Sequence, residues 1–430
     1  MIYRCLRLAL LCGALVFSFA ACDDPSSVGA GVGSTPLKGG KPETIDISPD
    51  PFETEVAPAE TGNNNVLQSW RVLVGTVHDP LVGTLAADGY VDIDGLATLP
   101  DDFFALPPEQ LTAQLKLVRS YVHGDTTSAL DVAVYDVTEE MEVTDATADQ
   151  TFPVEAAPIR TATFQANDSL VTIDLPPAWI TEHLEVLRDT TNGGASFEDA
   201  FHGFRLETAG GDAVVGFDRS TARLELGGVP DTVSTIQYRS EKLFSHITRT
   251  EAVPPPDGRR VLVDGVGAYA SLNFSFDTPP LDTLRNAPVN RADLVLPVDT
   301  LAWREKRPDH FVRPRERVGY RILGIRADDS PSCAALNTAT ESETTCVLPL
   351  VEAALPSAAL ADPTTGLVLF QESLLQGRVF SELQMQIAVD RATGNTLGVG
   401  LPSTLPVVLF APTAEAEDDR PRASLTITDL

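Results

Sequence analysis

The sequence predicts an all-β protein, with two tandem β-sandwich domains behind a flexible N-terminal tether. Three observations carry this. Residues 114–122 (QLKLVRSYV), 129–137 (ALDVAVYDV) and 170–175 (LVTIDL) alternate apolar and polar side chains with the period of a half-buried strand. The 32 prolines and 30 glycines leave few windows long enough for a helix, and residues 178–187 and 349–361 are the best short ones. The strand-like segments also recur, TAQLKLV at 112–118 matching RADLVLPV at 291–298. Many short alternating strands bury one face against a second sheet, which is the sandwich arrangement.

In chain order, Arg4 and Arg7 precede an apolar run over 8–19 that ends in Ala20, Ala21 and Cys22. The run has the secretory pattern and is too short to span a membrane as a helix, which takes ~20 residues. With a cysteine at the cut, residues 1–21 resemble a bacterial lipoprotein signal peptide, Phe19 standing where that family usually has Leu. The resemblance implies that Cys22 is acylated, becomes the new N-terminus and anchors the mature protein to a membrane, lipid-anchored to the outer membrane and displayed at the cell surface. Asp23 and Asp24 resemble acidic tags that send some lipoproteins to the outer surface, although in other bacteria Asp here retains them on the inner membrane, so the leaflet stays open.

Residues 22–50 read as the tether, because Gly, Ser and Pro at this density bury too little apolar area to fold. Gly29, Gly31 and Gly33 imitate a phosphate-binding loop, but no strand precedes them and no helix follows. Residues 51–229 then form the first domain and 230–430 the second, with GGVPDTVS at 227–234 as the linker. The closing segments of the halves correspond: an apolar strand ending in Phe217 or Phe410, an arginine-bearing turn, and a last strand.

Charge excludes one class of partner. The chain has 61 acidic and 31 basic residues; without the two arginines of the signal, 29 basic residues remain, which is no surface for nucleic acid. Only five of the cations are Lys, a composition typical of proteins adapted to high salt. Of the five cysteines, Cys5 and Cys12 leave with the signal and Cys22 carries the lipid, so Cys333 and Cys346 remain. In an exported chain with no further ligand nearby, this pair reads as a disulfide rather than a zinc site.

Two family resemblances extend the reading. Residues 114–143, the LVTIDLPPAWI segment and FDRSTARLEL resemble the DNRLRE-type surface module, a jelly-roll sandwich in some cases associated with carbohydrate binding. The lipid cysteine followed by DDPSSVG, with Gly75, Asp79, Pro80, Gly83 and Thr84 framing a strand pair, is similar to an uncharacterised bacterial surface lipoprotein family, a domain of unknown function of the DUF4270 type. Neither brings an activity with it.

Catalytic motifs are absent from the sequence. His78, His123, His183, His202, His246 and His310 fall in no HExxH pattern, and there is no GxSxG elbow. No cofactor is expected beyond calcium, for which Asp92, Asp94 and Gly95, or Glu139, Glu140 and Glu142 with Asp145 and Asp149, are the weak candidates. Residues 303–326 carry eight Lys/Arg against three acids, with Trp303, Phe311 and Tyr320 interleaved and Arg313, Arg315 and Arg317 lying between Phe311 and Tyr320. Either this segment binds a polyanion such as an acidic polysaccharide, or its arginines pair internally. Two functions therefore stand: a non-catalytic binding or structural lipoprotein engaging glycan or another envelope protein, and a surface-polysaccharide hydrolase using an acidic pair.

Overall fold

The computed structural model describes residues 42–50, 54–56, 71–141, 150–228, 235–255, 257–266, 268–276, 278–284, 287–299, 309–313, 318–326, 339–340, 345–354, 357–360, 370, 374, 380–389, 403–416 and 420–428. The fold is all-β. The first strands are β1 (Pro42–Ile47), β2 (Thr54–Val56), β3 (Arg71–Asp79), β4 (Gly83–Ile93), β5 (Leu111–Asp125), β6 (Ala129–Asp136), β7 (Arg160–Gln165) and β8 (Leu170–Leu175). There follow β9 (Phe204–Gly210), β10 (Ala213–Asp218), β11 (Arg223–Gly228), β12 (Ile236–Thr250), β13 (Arg259–Val263), β14 (Ala268–Ser271), β15 (Val289–Pro297) and β16 (Phe311–Val312). The last are β17 (Val318–Arg326), β18 (Ala339–Thr340), β19 (Thr345–Ala354), β20 (Ser357–Leu360), β21 (Phe380–Val389), β22 (Pro406–Phe410) and β23 (Arg422–Thr428).

The pairings nest one unit inside another rather than placing two in tandem. Residues 71–250 build a sheet ordered β12–β11–β5–β10–β3–β4–β9–β6–β7, with β8 and β16 added on β5 and β12 returning to pair β4. A second sheet runs β1–β23–β15–β20–β19–β17–β21–β14–β2, with β18 on β19. Thus β12, expected to open the second domain, completes the first sheet. Residues 42–47, expected in the tether, are a strand of the second sheet paired with β23. The reason is local: PETIDI places Ile45 and Ile47 on one side, and an edge strand needs only that much apolar surface, Ile47 entering the core.

Strands β5 and β12 are long because each serves two layers. Residues 111–116 of β5 pair β11, while 119–124 pair β10; β12 pairs β11 at 236–239 and β4 beyond Ser240. Two cores result. Val72 and Val74 of β3 enter the first, beneath α1 (Asp101–Ala105) and α2 (Pro177–Leu187), whereas Leu73 and Val77 enter the second, shared with β13, β15, β22 and β23. A strand buried on both faces reads as the near-continuous apolar run RVLVGTV. At Gly75, φ is 134° and a Cβ would lie 2.1 Å from Ala213 O, so only glycine lets β3 pass β10 this closely.

Helix α2 forms where expected, starting with Pro at its first turn and burying Trp179, Ile180 and Leu187. The other helix candidate, 349–361, is instead the β19–β20 pair, Ala354 opposite Ser357. Its alanines favour helix, but Pro356 interrupts the run and β17 supplies a neighbouring strand, so tertiary pairing overrides propensity. In each half the closing strand pairs with the opening one, β11 with β5 and β23 with β15. Among the described residues no helix is long and apolar enough to cross a membrane.

Candidate functional site

Cys22, Cys333, Trp303, Arg315, Arg317, Glu142, Asp145 and Asp149 lie outside the described residues. Cys346 belongs to β19, opposite Gly324 and Thr340, and Tyr320 belongs to β17, opposite Val351 and Ile387. Phe311 is half-buried, its ring edge-on to His123 at 6.0 Å. Arg313 follows the second alternative for its segment, internal pairing. It is only 8% exposed, with Nε 3.2 Å from Asp79 Oδ2 and Nη2 3.1 Å from Asp79 Oδ1. A guanidinium this far out of water requires a carboxylate, and this one finds it inside the protein.

Asp79 sits at the centre of a buried polar network joining the two units. Asp79, His123 and Thr404 are 1%, 0% and 0% exposed. Asp79 Oδ1 also accepts the Leu81 N–H at 2.7 Å, and Oδ2 is 3.0 Å from His123 Nε2. His123 Nδ1 lies 2.8 Å from Thr404 Oγ1, which lies 2.9 Å from the Tyr121 hydroxyl. Carboxylate, imidazole and hydroxyl thus stand in the order of a nucleophilic triad. No acyl group reaches a hydroxyl with no accessible surface, however. The arrangement is a fastening, with Asp79, Tyr121 and His123 contributed by the first sheet and Arg313 and Thr404 by segments after residue 250.

The Lys242 ammonium stands between the two calcium candidates, 3.8 Å from Asp92 Oδ2 and 3.3 Å from Glu140 Oε1. Glu139 and Glu140 are exposed, Glu140 Oε1 taking the Lys242 ammonium at 3.3 Å. Asp92 is buried at the end of β4 with Asp94 half-buried beside it, and Gly95 N–H donates to Glu198 Oε1 at 3.1 Å. Among the described residues no group of three or more His, Cys, Asp or Glu is placed to hold a metal ion. Burial pushes the Asp92 carboxyl up to about 6 against the pull of the Ile93 N–H and Lys242; burial, then Glu241 and Glu198, push Asp94 up to about 6 as well.

That pair sets a pH dependence. Both folded values lie above the ordinary 3.8, so the folded chain binds more protons than the unfolded one over the interval between, and stability falls as pH rises through about 6. Urea midpoints are expected to be higher at pH 5 than at pH 8. Asp92→Asn should recover about 2 kcal/mol at pH 8, an amount already reduced for the residual solvent at the site. An Asn variant no more stable than wild type at pH 8 would refute this.

The registers assemble one site that no sequence motif marks. On the polar face of the first sheet, Gln114 of β5 stands opposite Asp174 of β8 and Glu225 of β11, and Glu225 stands opposite Gln237 of β12. The row holds two bonded pairs: Gln114 Nε2 donates to Asp174 Oδ1 at 2.7 Å, and Gln237 Nε2 to Glu225 Oε2 at 3.3 Å. Two residues along each strand lies a second row, Thr172, Lys116, Arg223 and Arg239. Lys116 Nζ donates to Glu225 Oε1, and Arg223 Nε is 3.3 Å from Glu225 Oε2.

Burial would raise the Glu225 carboxyl, but the Lys116 ammonium and then the Arg223 guanidinium outweigh it and hold the group below its ordinary value. Where the ends of β8 and β11 meet α2, the first row borders a cleft of about 470 Å³ lined by buried Leu111, Leu175 and Ile180 and by polar Thr112, Asp174 and Glu225. That volume is within the range of small-ligand sites. Chemically the cleft offers fixed hydrogen-bond acceptors and amides. Glu225, kept ionised, is no proton donor.

No protein-family model and no curated protein matches the chain. A crystal structure of a protein described as secreted, from Parabacteroides distasonis ATCC 8503, aligns over 90% of this chain and 99% of its own at 10% identity. Its TM-score is 0.20, so the alignment carries no argument about fold or activity.

Proposed function

We propose that this chain is a lipid-anchored envelope protein with a non-catalytic binding role, presenting a glycan-binding sheet face at the outer membrane or cell surface. The observation that carries the reading is the row of two bonded pairs, Asp174 with Gln114 and Glu225 with Gln237, beside the cleft. Neighbouring acceptors and amides on a rigid sheet complement adjacent ring hydroxyls, and side chains already bonded to one another lose little freedom when a ligand arrives. The anchor rests on the signal that ends in Cys22, and the likeness to surface lipoproteins and jelly-roll modules agrees with it. A second envelope protein seated on the same face is the other occupant within this reading.

Two measurements test it. Metabolic labelling with a palmitate analogue should mark the wild type and not Cys22→Ser; label retained in the mutant sinks the anchor. On a glycan array the protein should retain saccharides and Gln114→Ala should weaken that retention. An array with nothing retained removes the glycan reading.

A surface-polysaccharide hydrolase is a second reading with one observation in its favour. Asp92 and Asp94, pushed up to about 6, are carboxyls in the range a general acid needs. Release of reducing ends from a polysaccharide by the wild type, lost in Asp92→Asn, would favour it over the binder.

A further inference from the structure

The second row explains which glycan the face would take. Lys116, Arg223 and Arg239 bring three cations side by side, against the two carboxylates of the row beside them. This occurs in a chain with 61 acids and 31 Lys and Arg, where a cation ordinarily has acids to spare around it. Lys116 and Arg223 both spend their charge on Glu225. Arg239 is exposed and makes no ion pair among the described residues, one strand away from Arg223.

Resting on the glycan reading above, we infer that Arg239 is the subsite for a carboxylate on the saccharide. The ligand class is then a uronate-containing glycan, its ring hydroxyls on the Asp174–Gln114–Glu225–Gln237 row and its carboxylate on the cationic row. Adjacent strands lie ~4.8 Å apart and alternate residues of one strand ~7 Å apart, so both rows fall within one or two sugar rings. A guanidinium fork matches a planar carboxylate with two parallel hydrogen bonds, which a lysine in its place would not reproduce. The overall negative charge opposes long-range approach of a polyanion, so binding depends on these close contacts and on salt that screens the rest.

The test compares polygalacturonate with its methyl-esterified form on the full-length protein at ~0.1 M and ~1 M salt, where screening lengths differ about threefold. The wild type should prefer the free acid by about tenfold, the effect of one charge-assisted contact. Arg239→Gln should erase the preference, bringing retention of the free acid down to that of the ester, with the melting temperature unchanged, and Arg239→Lys should restore only part of it. Wild-type retention of both forms without preference, or full preference in Arg239→Gln, overturns the carboxylate subsite and leaves the glycan reading standing. Failure of the wild type to retain any saccharide on the array defeats the glycan reading itself, and the subsite falls with it.

Discussion

Replacing Asp79 with alanine is expected to cost about 3–5 kcal/mol of unfolding free energy at pH 7. The substitution removes the carboxylate that receives Arg313 on both oxygens, the Leu81 N–H and His123 Nε2, all where water does not reach. Most of the loss comes from a buried guanidinium deprived of both its bonds to Asp79 rather than from the pair itself, because a buried ion pair nearly cancels its own desolvation. A double substitution, Asp79→Ala with Arg313→Met, should therefore be less damaging than the single one. Urea denaturation of the three proteins decides it. A single variant within 1 kcal/mol of wild type would mean that the network is more solvated, or its partners more mobile, than the distances imply.

Tyr238→Ala should be comparably severe, about 3–5 kcal/mol, as for other large-to-small changes of a buried aromatic. Tyr238 is 1% exposed, its ring stacked on Phe197 at 5.3 Å, its hydroxyl donating to Leu187 O. Burial also pushes its phenol well above the ordinary range, so it stays neutral into strong alkali. Tyr238→Phe keeps the ring and should cost about 1 kcal/mol for the lost hydrogen bond. The location matters as much as the size. Tyr238 lies beyond residue 230, so in a tandem arrangement its loss would spare the first half. In the nested arrangement, hydrogen exchange in the Ala variant should accelerate in β11 and β5, the strands next to β12 in the sheet that borders the core it fills. Protection there equal to wild type would count against the nesting.

What could be read without the structure was whatever is periodic over a few residues. LTAQLKLV, ALDVAVYD and LVTIDL became β5, β6 and β8, and PAWITEHLEVL became α2, because their alternation or spacing is set by immediate neighbours. Three features were not legible for the opposite reason. Asp79 and Arg313 are 234 residues apart and no local pattern pairs them. Asp174, Gln114 and Glu225 each occupy an ordinary polar position of an alternating strand, and only the register aligns them into a row. Strand β1 has too few apolar residues to stand out from the Gly- and Ser-rich segment before it, and its partner is at the other end of the chain.

That last pairing governs the order of events as the chain is made. Thr44 of β1 lies opposite Thr426 of β23, so the first strand to emerge has to wait for nearly the last one. Residues 71–250 hold all the partners of their own sheet except β16, and can close while the remainder is still being synthesised. The outer unit cannot. Pairings so distant in sequence form slowly, and until the C-terminus arrives the edges of β1 and β15 offer unsatisfied hydrogen-bonding groups to any neighbouring chain. Losing a handful of C-terminal residues would thus unseat the N-terminal strand directly behind the proposed anchor, turning a defect at one end of the polypeptide into exposure at the other.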